Sequence, residues 1–287
     1  MQALFGQLLV GLINGSFYAL LSLGLAIIFG LLNVVNFAHG ALYMTGAFVA
    51  WMGLEYLGIP YWGALLLSPL AVGLLGVVIE RTMLRRLYAL DHLYGLLLTF
   101  GLTLIIEGLF HHQFGNSGNG YPVPELLQGG SNLGFMFLPR YRAWVVVVSI
   151  AVCILSWFVI ERTRLGAYLR AGTENPRLLQ AFGVNVPMML TLTYGFGVAL
   201  AGFAGVMAAP IYQVSPAMGS NLIIVVFAVV VIGGMGSIFG SIVTGLGLGL
   251  VEGLTKYLYP PAASTVVFVI MALVLLVRPA GLFGRQR

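Results

Sequence analysis

The chain has 287 residues; 60% are hydrophobic, only 7% are Asp, Glu, Lys or Arg, and the formal net charge is +5. Soluble domains carry roughly a quarter charged residues, and a folded surface needs polar side chains facing water. This excludes a soluble enzyme, a disulfide scaffold, a disordered chain and a nucleic-acid binder, and leaves an all-α, polytopic membrane helix bundle.

A bilayer core of about 30 Å needs about 20 apolar residues of helix. In chain order, candidate spans are 8–30, 34–53, 62–79, 93–110, 144–160, 188–209, 222–238, 241–255 and 264–277. Residues 1–10 lack the basic segment of a cleavable signal, and none is expected. Span 34–53 carries Asn36, His39 and Thr45, polar enough for a broken or re-entrant element. Residues 222–255 are too long for one crossing and short for two. Gly233, Gly234, Gly236 and Gly240 interrupt them, so a discontinuous or tightly turned pair is expected. The expected bundle has eight or nine spans with broken or re-entrant segments, in a single transmembrane domain over 1–287.

Basic residues cluster after the third, fifth and last candidates: Arg81, Arg85 and Arg86; then Arg162, Arg164, Arg170 and Arg177; then Arg278, Arg285 and Arg287. Excess Lys and Arg mark cytoplasmic loops, so all three clusters are placed inside. Arg140 and Arg142 fall on the other side, as interfacial anchors beside Tyr141 and Trp144. Small residues recur every fourth position in three ridges: Gly11, Gly15, Ala19; Gly197, Ala201, Gly205, Ala209; and Ser241, Gly245, Gly249, Gly253. Such ridges let membrane helices approach closely and argue for a compact bundle. Cys153 lies in an apolar run and reads as packing.

The loop 161–187 is the most polar stretch. Within it, Asn175 can cap a helix, Pro176 suits the first helical position, and Gly183 suits the left-handed position beyond the end. Leu178, Leu179 and Phe182 give this short helix an apolar face. Two turns are unstable alone in water. The helix lies either against its own bundle or in a groove of a cytoplasmic partner, where it would pass movement of a soluble motor to the spans.

This loop resembles the coupling motif of ABC importer permeases, specifically the LivH-type branched-chain amino acid permeases. Three other stretches agree: Asn14-Gly15-Ser16-Phe17-Tyr18-Ala19-Leu20; Asn36-Phe37-Ala38-His39-Gly40 followed by Met44 and Gly46-Ala47-Phe48; and Gly233-Gly234-Met235-Gly236-Ser237. The resemblance runs from Gln7 to the C-terminus. Val184 departs from the Ile often found there, which puts nothing in doubt. The resemblance implies a multi-pass subunit of the bacterial inner membrane. Its partners would be a second, related permease in a heterodimer, two cytoplasmic ATPases and a periplasmic or extracytoplasmic solute-binding protein. Arg170, Glu174, Asn175, Pro176, Arg177, Leu178, Leu179, Phe182 and Gly183 would couple to the ATPase. Asn14, Asn36, His39, Gly40, Gly46, Gly233, Gly234 and Gly236 would support the transport path or a broken helix.

No G-x-x-x-x-G-K-[ST] loop surrounds Lys256, the one lysine, so this chain is expected to bind no cofactor and no ATP, which belongs to partner subunits. No catalytic or metal-ligating set is expected. Glu107 and His111 could relay a proton or bind a metal, or simply pair at a helix end; Glu80 is expected to pair with Arg81, and Glu252 with Lys256 one turn on. Asn36 and His39 serve either as helix–helix hydrogen bonds or as support for a broken helix. Branched-chain amino acids are the expected cargo. Urea or short-chain amides are the alternative, then an ion-coupled carrier or a channel.

Overall fold

The computed structural model describes residues 2–284 other than Asn33, Ala89 and Phe135. Arg285 and Arg287 of the last basic cluster lie outside the described residues. The elements in chain order are α1 (Gln2–Leu32), α2 (Ala38–Leu57), α3 (Tyr61–Thr82), α4 (His92–Phe114), β1 (Gly130–Asn132), β2 (Phe137–Pro139), α5 (Arg140–Arg162), α6 (Arg164–Glu174), α7 (Pro176–Ala181), α8 (Val186–Ala208), α9 (Met218–Gly233), α10 (Ile238–Leu258) and α11 (Val266–Val277), with three short 3₁₀ turns between. The protein is thus an all-α bundle with one small hairpin, β1 antiparallel to β2, in the long 111–142 connection. No alternation signal in 111–142 marks that hairpin.

Among the described residues six helical stretches are long and apolar enough to cross a membrane: α1, α3 with its 3₁₀ extension, α4, α5, α8 and α10. The helices α9 and α11 are apolar but shorter. Length and composition alone therefore do not reach eight or nine spans.

Among the described residues side-chain caps start four helices: Asp91 Oδ1 accepts from Leu93 N at 2.9 Å for α4, Asn175 Oδ1 from Leu178 N at 3.0 Å for α7, Asn185 Oδ1 from Met188 N at 3.1 Å for α8, and Ser237 Oγ from Gly240 N at 3.1 Å for α10. Each satisfies a backbone N–H that the helix leaves free.

The bundle is built around α1, whose Phe17, Leu20, Leu23, Ala26 and Ile27 are buried. Two expected ridges meet here. A Cβ on Gly15 would lie 3.0 Å from Leu246 O, and one on Gly245 would lie 2.5 Å from Ala19 N, so α1 and α10 touch backbone to backbone and run antiparallel. The third ridge, on α8, meets α1 at Gly24–Gly197 and α2 at Gly205–Tyr43. Lipid gives helices no hydrophobic reason to associate, so this close packing is what holds them.

The described arginines of the three basic clusters gather at one end. The ends of α1, α3, α5, α9 and α11 meet there with the starts of α4, α8 and α10, tied by Trp157 against Phe239, Phe239 against Phe283, and the backbone bonds Leu282 N to Ile232 O (2.8 Å) and Phe283 N to Gly233 O (3.1 Å). Tyr141 marks the opposite end. Its hydroxyl lies 3.0 Å from that of Tyr61 and donates to Met207 O at 2.8 Å, which places Arg140 and Arg142 away from the other arginines. The expected turned pair is present: α9 and α10 are joined by 234–237, with Gly234 at φ 100° and Gly236 at φ 88°. A side chain at either position would force strained backbone.

Candidate functional site

The first half of the site is a broken element deep in the bundle. The chain leaves α1 and runs non-helically through 34–37 before α2 starts at Ala38. Non-helical backbone inside a membrane protein needs partners, and Thr99 on α4 supplies them. Its hydroxyl accepts from Phe37 N at 3.2 Å, and its hydrogen is shared between Val35 O (3.1 Å) and Leu96 O (3.0 Å). The Phe37 ring stacks on Phe227 at 5.9 Å and meets Phe100 edge-on at 6.5 Å. Nothing in the sequence pattern singled out Thr99.

His39 is fully buried, with Nε2 3.1 Å from Leu21 O. Facing a carbonyl, Nε2 is the protonated nitrogen and donates. Its ring fits because Gly24 has no side chain: a Cβ there would lie 3.0 Å from His39 Cε1. His39 Nδ1, both amide atoms of Asn36, and the hydroxyls of Tyr43 and Tyr194 are buried without a hydrogen bond; the Tyr194 hydroxyl faces Asn36. His39 bonds α1 to α2, and it stands at the start of a helix that begins inside the bundle.

A second helix also begins inside. The start of α9 crosses the start of α2 where a Cβ on Gly40 would lie 2.7 Å from Gly219 O. Two residue turns on, a Cβ on Gly46 would lie 2.5 Å from Gly202 Cα, and Gly46 O accepts from Ser68 Oγ at 2.7 Å. Asn36, His39 and Gly40 thus stand together at the start of α2, while Gly46 lies further along it against α8 and α3. The structure does not bring the rest of that set to them. Asn14 lies toward the Tyr141 end, where Tyr212 donates to its Oδ1 at 3.3 Å. Gly233, Gly234 and Gly236 form the turn at the basic end.

The ionisable residues divide sharply. Glu80 does not pair with Arg81. It is buried and accepts from Thr191 Oγ1 at 2.6 Å and Tyr88 at 3.0 Å, because α3 and α8 press its carboxylate inward while Arg81 points out. Burial, then the Glu80 charge, pushes the Tyr88 phenol well above its usual range, so it stays a neutral donor. Glu252 does pair with Lys256 at 2.5 Å and also accepts from Tyr18 at 2.7 Å. Glu107 makes no ion pair with His111; Ser220 on α9 is its neighbour. Among the described residues no three His, Cys, Asp or Glu side chains converge as a metal site.

The second half of the site is the polar loop at the basic end. It holds two helices, where the sequence marked one. The unforeseen α6 is fastened to the end of α5: Arg170 donates to Ile160 O at 2.9 Å and to Glu161 at 3.3 Å. The marked helix is present as α7, with Asn175 as its cap, Pro176 first and Gly183 at φ 82° beyond the end. Its apolar residues face two ways. Leu179 is buried over Gly172, where a Cβ would lie 3.3 Å from Leu179 Cδ2, while Leu178 is 56% and Phe182 77% exposed. Glu174 and Arg177 are exposed on the same loop. So Leu179 docks α7 on α6 and α8, and Leu178 and Phe182 project from the end of the molecule.

Apolar helices, two of them starting inside the bundle, and a capped helix at the basic end mark a multi-pass membrane protein. The chain belongs to the family described as the permease component of branched-chain amino acid transport systems, whose model matches residues 7–277. It is 31% identical to the high-affinity branched-chain amino acid transport system permease protein BraD of Pseudomonas aeruginosa, over 97% of this chain and 95% of that one. It is 30% identical to LivH of Escherichia coli with the same coverages, and 28% identical to LivM of Escherichia coli over 94% of this chain and 68% of LivM.

Proposed function

We propose that this chain is one permease subunit of an ATP-binding-cassette importer that moves branched-chain, small apolar amino acids across the bacterial inner membrane. The family match over residues 7–277 carries this reading, and relatives named for the same cargo support it over urea or amides. Its partner permease is a related chain, as the similarity to both LivH and LivM suggests. Two cytoplasmic ATPases bind the nucleotide, and a solute-binding protein delivers the cargo. This chain binds no cofactor.

In this reading nine helices enter the membrane: α1 to α5 and α8 to α11, with the basic end inside. The arginines shared by one end support that direction. The peg α7, carrying Arg177, Leu178 and Phe182, sits in a groove of the ATPase. Arg170 and Leu179 transmit its movement to α5 and α8 through the contacts they make. Glycine-lined crossings at Gly40 and Gly46 allow α2, α8 and α9 to slide without breaking side-chain interlocks. Alternating access then follows as rigid-body rocking.

Reconstitution tests this directly. Leucine uptake into proteoliposomes is expected to require ATP, both permeases, the ATPases and the binding protein together. Uptake by this chain alone under an ion gradient would overturn the reading in favour of a carrier.

A further inference from the structure

Among the described residues two carboxylates are buried in the helices, and they are served differently. Glu252 has a cation, Lys256, at 2.5 Å. Glu80 pairs with no cation among the described residues; its oxygens accept from the hydroxyls of Thr191 at 2.6 Å and Tyr88 at 3.0 Å. Burying a carboxylate away from any cation is costly, and inside a membrane bundle such a group marks a working position.

Glu80 joins three elements. It stands near the basic end of α3, Tyr88 lies in the turn toward α4, and Thr191 lies in the second turn of α8. The start of α8 is packed as one piece with the loop that carries α7. A Cβ on Gly172 of α6 would lie 2.6 Å from Met189 Cε of α8 and 3.3 Å from Leu179 Cδ2 of α7. A displacement of α7 therefore moves Thr191 relative to Glu80.

Two features make the Thr191–Glu80 bond exchangeable. The Thr191 hydroxyl has one hydrogen and two acceptors, Glu80 Oε2 and, at 3.0 Å on its own helix, Pro187 O. On leaving Glu80 it turns back to Pro187 and is not orphaned. A spare donor also stands on the same face of α8. Tyr194, three residues on, is fully buried; its hydroxyl makes no hydrogen bond, faces Asn36 and lies within electrostatic reach of Glu80. A buried hydroxyl left unpaired is a cost, which a second arrangement that uses it explains.

We infer that Glu80 is a positioning residue for transport. It holds α8 through Thr191 in the arrangement seen here, and takes Tyr194 as donor in place of Thr191 when the peg moves. Tyr88 serves it in both. The exchange gives α8 two discrete settings in place of a continuum. The inference rests on the importer reading above.

The amount of leucine moved per ATP hydrolysed, in proteoliposomes of the whole importer, tests this. Tyr194→Phe removes a hydroxyl that bonds nothing here, so a packing role predicts no loss. The exchange predicts that the ratio falls by about tenfold, the worth of one hydrogen bond to a carboxylate, while the unfolding temperature stays or rises. Tyr43→Phe is the matched control. Its hydroxyl is also buried and unpartnered, but it stands beside Tyr212 rather than Glu80, and the wild-type ratio is expected. Thr191→Val is expected to lower the ratio, and Thr191→Ser, which keeps the hydroxyl, to restore it. A wild-type ratio in Tyr194→Phe would overturn the inference. So would an equal fall in Tyr43→Phe, or a Thr191→Ser chain that fails as Thr191→Val does. If the wild-type assembly shows no ATP-driven uptake, the importer reading falls and the exchange with it. If it does and Tyr194→Phe matches it, only the exchange falls.

Discussion

Leu178→Asp and Phe182→Asp are each expected to cut ATP-driven uptake by about tenfold or more, while the chain still accumulates and inserts normally. Both side chains are exposed, Leu178 on α7 and Phe182 just past its end, whereas the buried Leu179 docks the helix. An aspartate in their place therefore leaves the loop folded. It must lose its water when the ATPase groove closes around it, and a buried, unpaired carboxylate is costly. About 1.4 kcal/mol is enough for a tenfold loss of binding, less than a typical interface anchor supplies. Leu179→Asp is the contrasting case: it puts the charge between α6, α7 and α8 and is expected to undo the loop itself. Co-purification of the ATPase, read beside uptake, separates lost coupling from lost protein.

Gly46→Val is expected to destabilise the bundle by about 3 kcal/mol or more, at or above the upper end of ordinary overpacking costs. Its new Cβ would lie 2.5 Å from both Cα and O of Gly202. Backbone on a packed helix cannot yield as a flexible side chain does, so α2 must move off α8 and take the Ser68 bond to Gly46 O with it. Thermal unfolding of the purified protein checks this. Gly108→Val is the internal control, since open space surrounds Gly108 within this chain. It is expected to leave the unfolding temperature of the isolated chain unchanged.

How much of this was legible in the sequence follows from where each signal lives. Local chemistry was readable: Asn175, Pro176 and Gly183 each need only their own neighbours to act as cap, first residue and stop, and α7 forms between them. Small-residue ridges were readable as ridges, but their partners were not. That Gly245 meets Ala19 depends on how α1 and α10 fold past each other, across more than two hundred residues of chain. Glu80 shows the limit most clearly. Sequence adjacency pointed to Arg81, whereas helix geometry turns consecutive residues about 100° apart and sends the carboxylate to Thr191 and the guanidinium outward. Thr99 was missed for a related reason, because its role is to satisfy backbone more than sixty residues away. The split of the apolar face of α7 was also invisible, since α6 was not foreseen and Leu179 docks against it.

Solvent access to α7 with and without the motor subunits tests the account most directly. Ala181→Cys places a thiol on the exposed side of α7, and the native Cys153 is buried in α5. Maleimide labelling of residue 181 is expected to be fast in membranes containing the two permeases alone, and strongly slowed once the ATPase subunits are added. Equal labelling rates in both membranes would contradict a peg held by the ATPase.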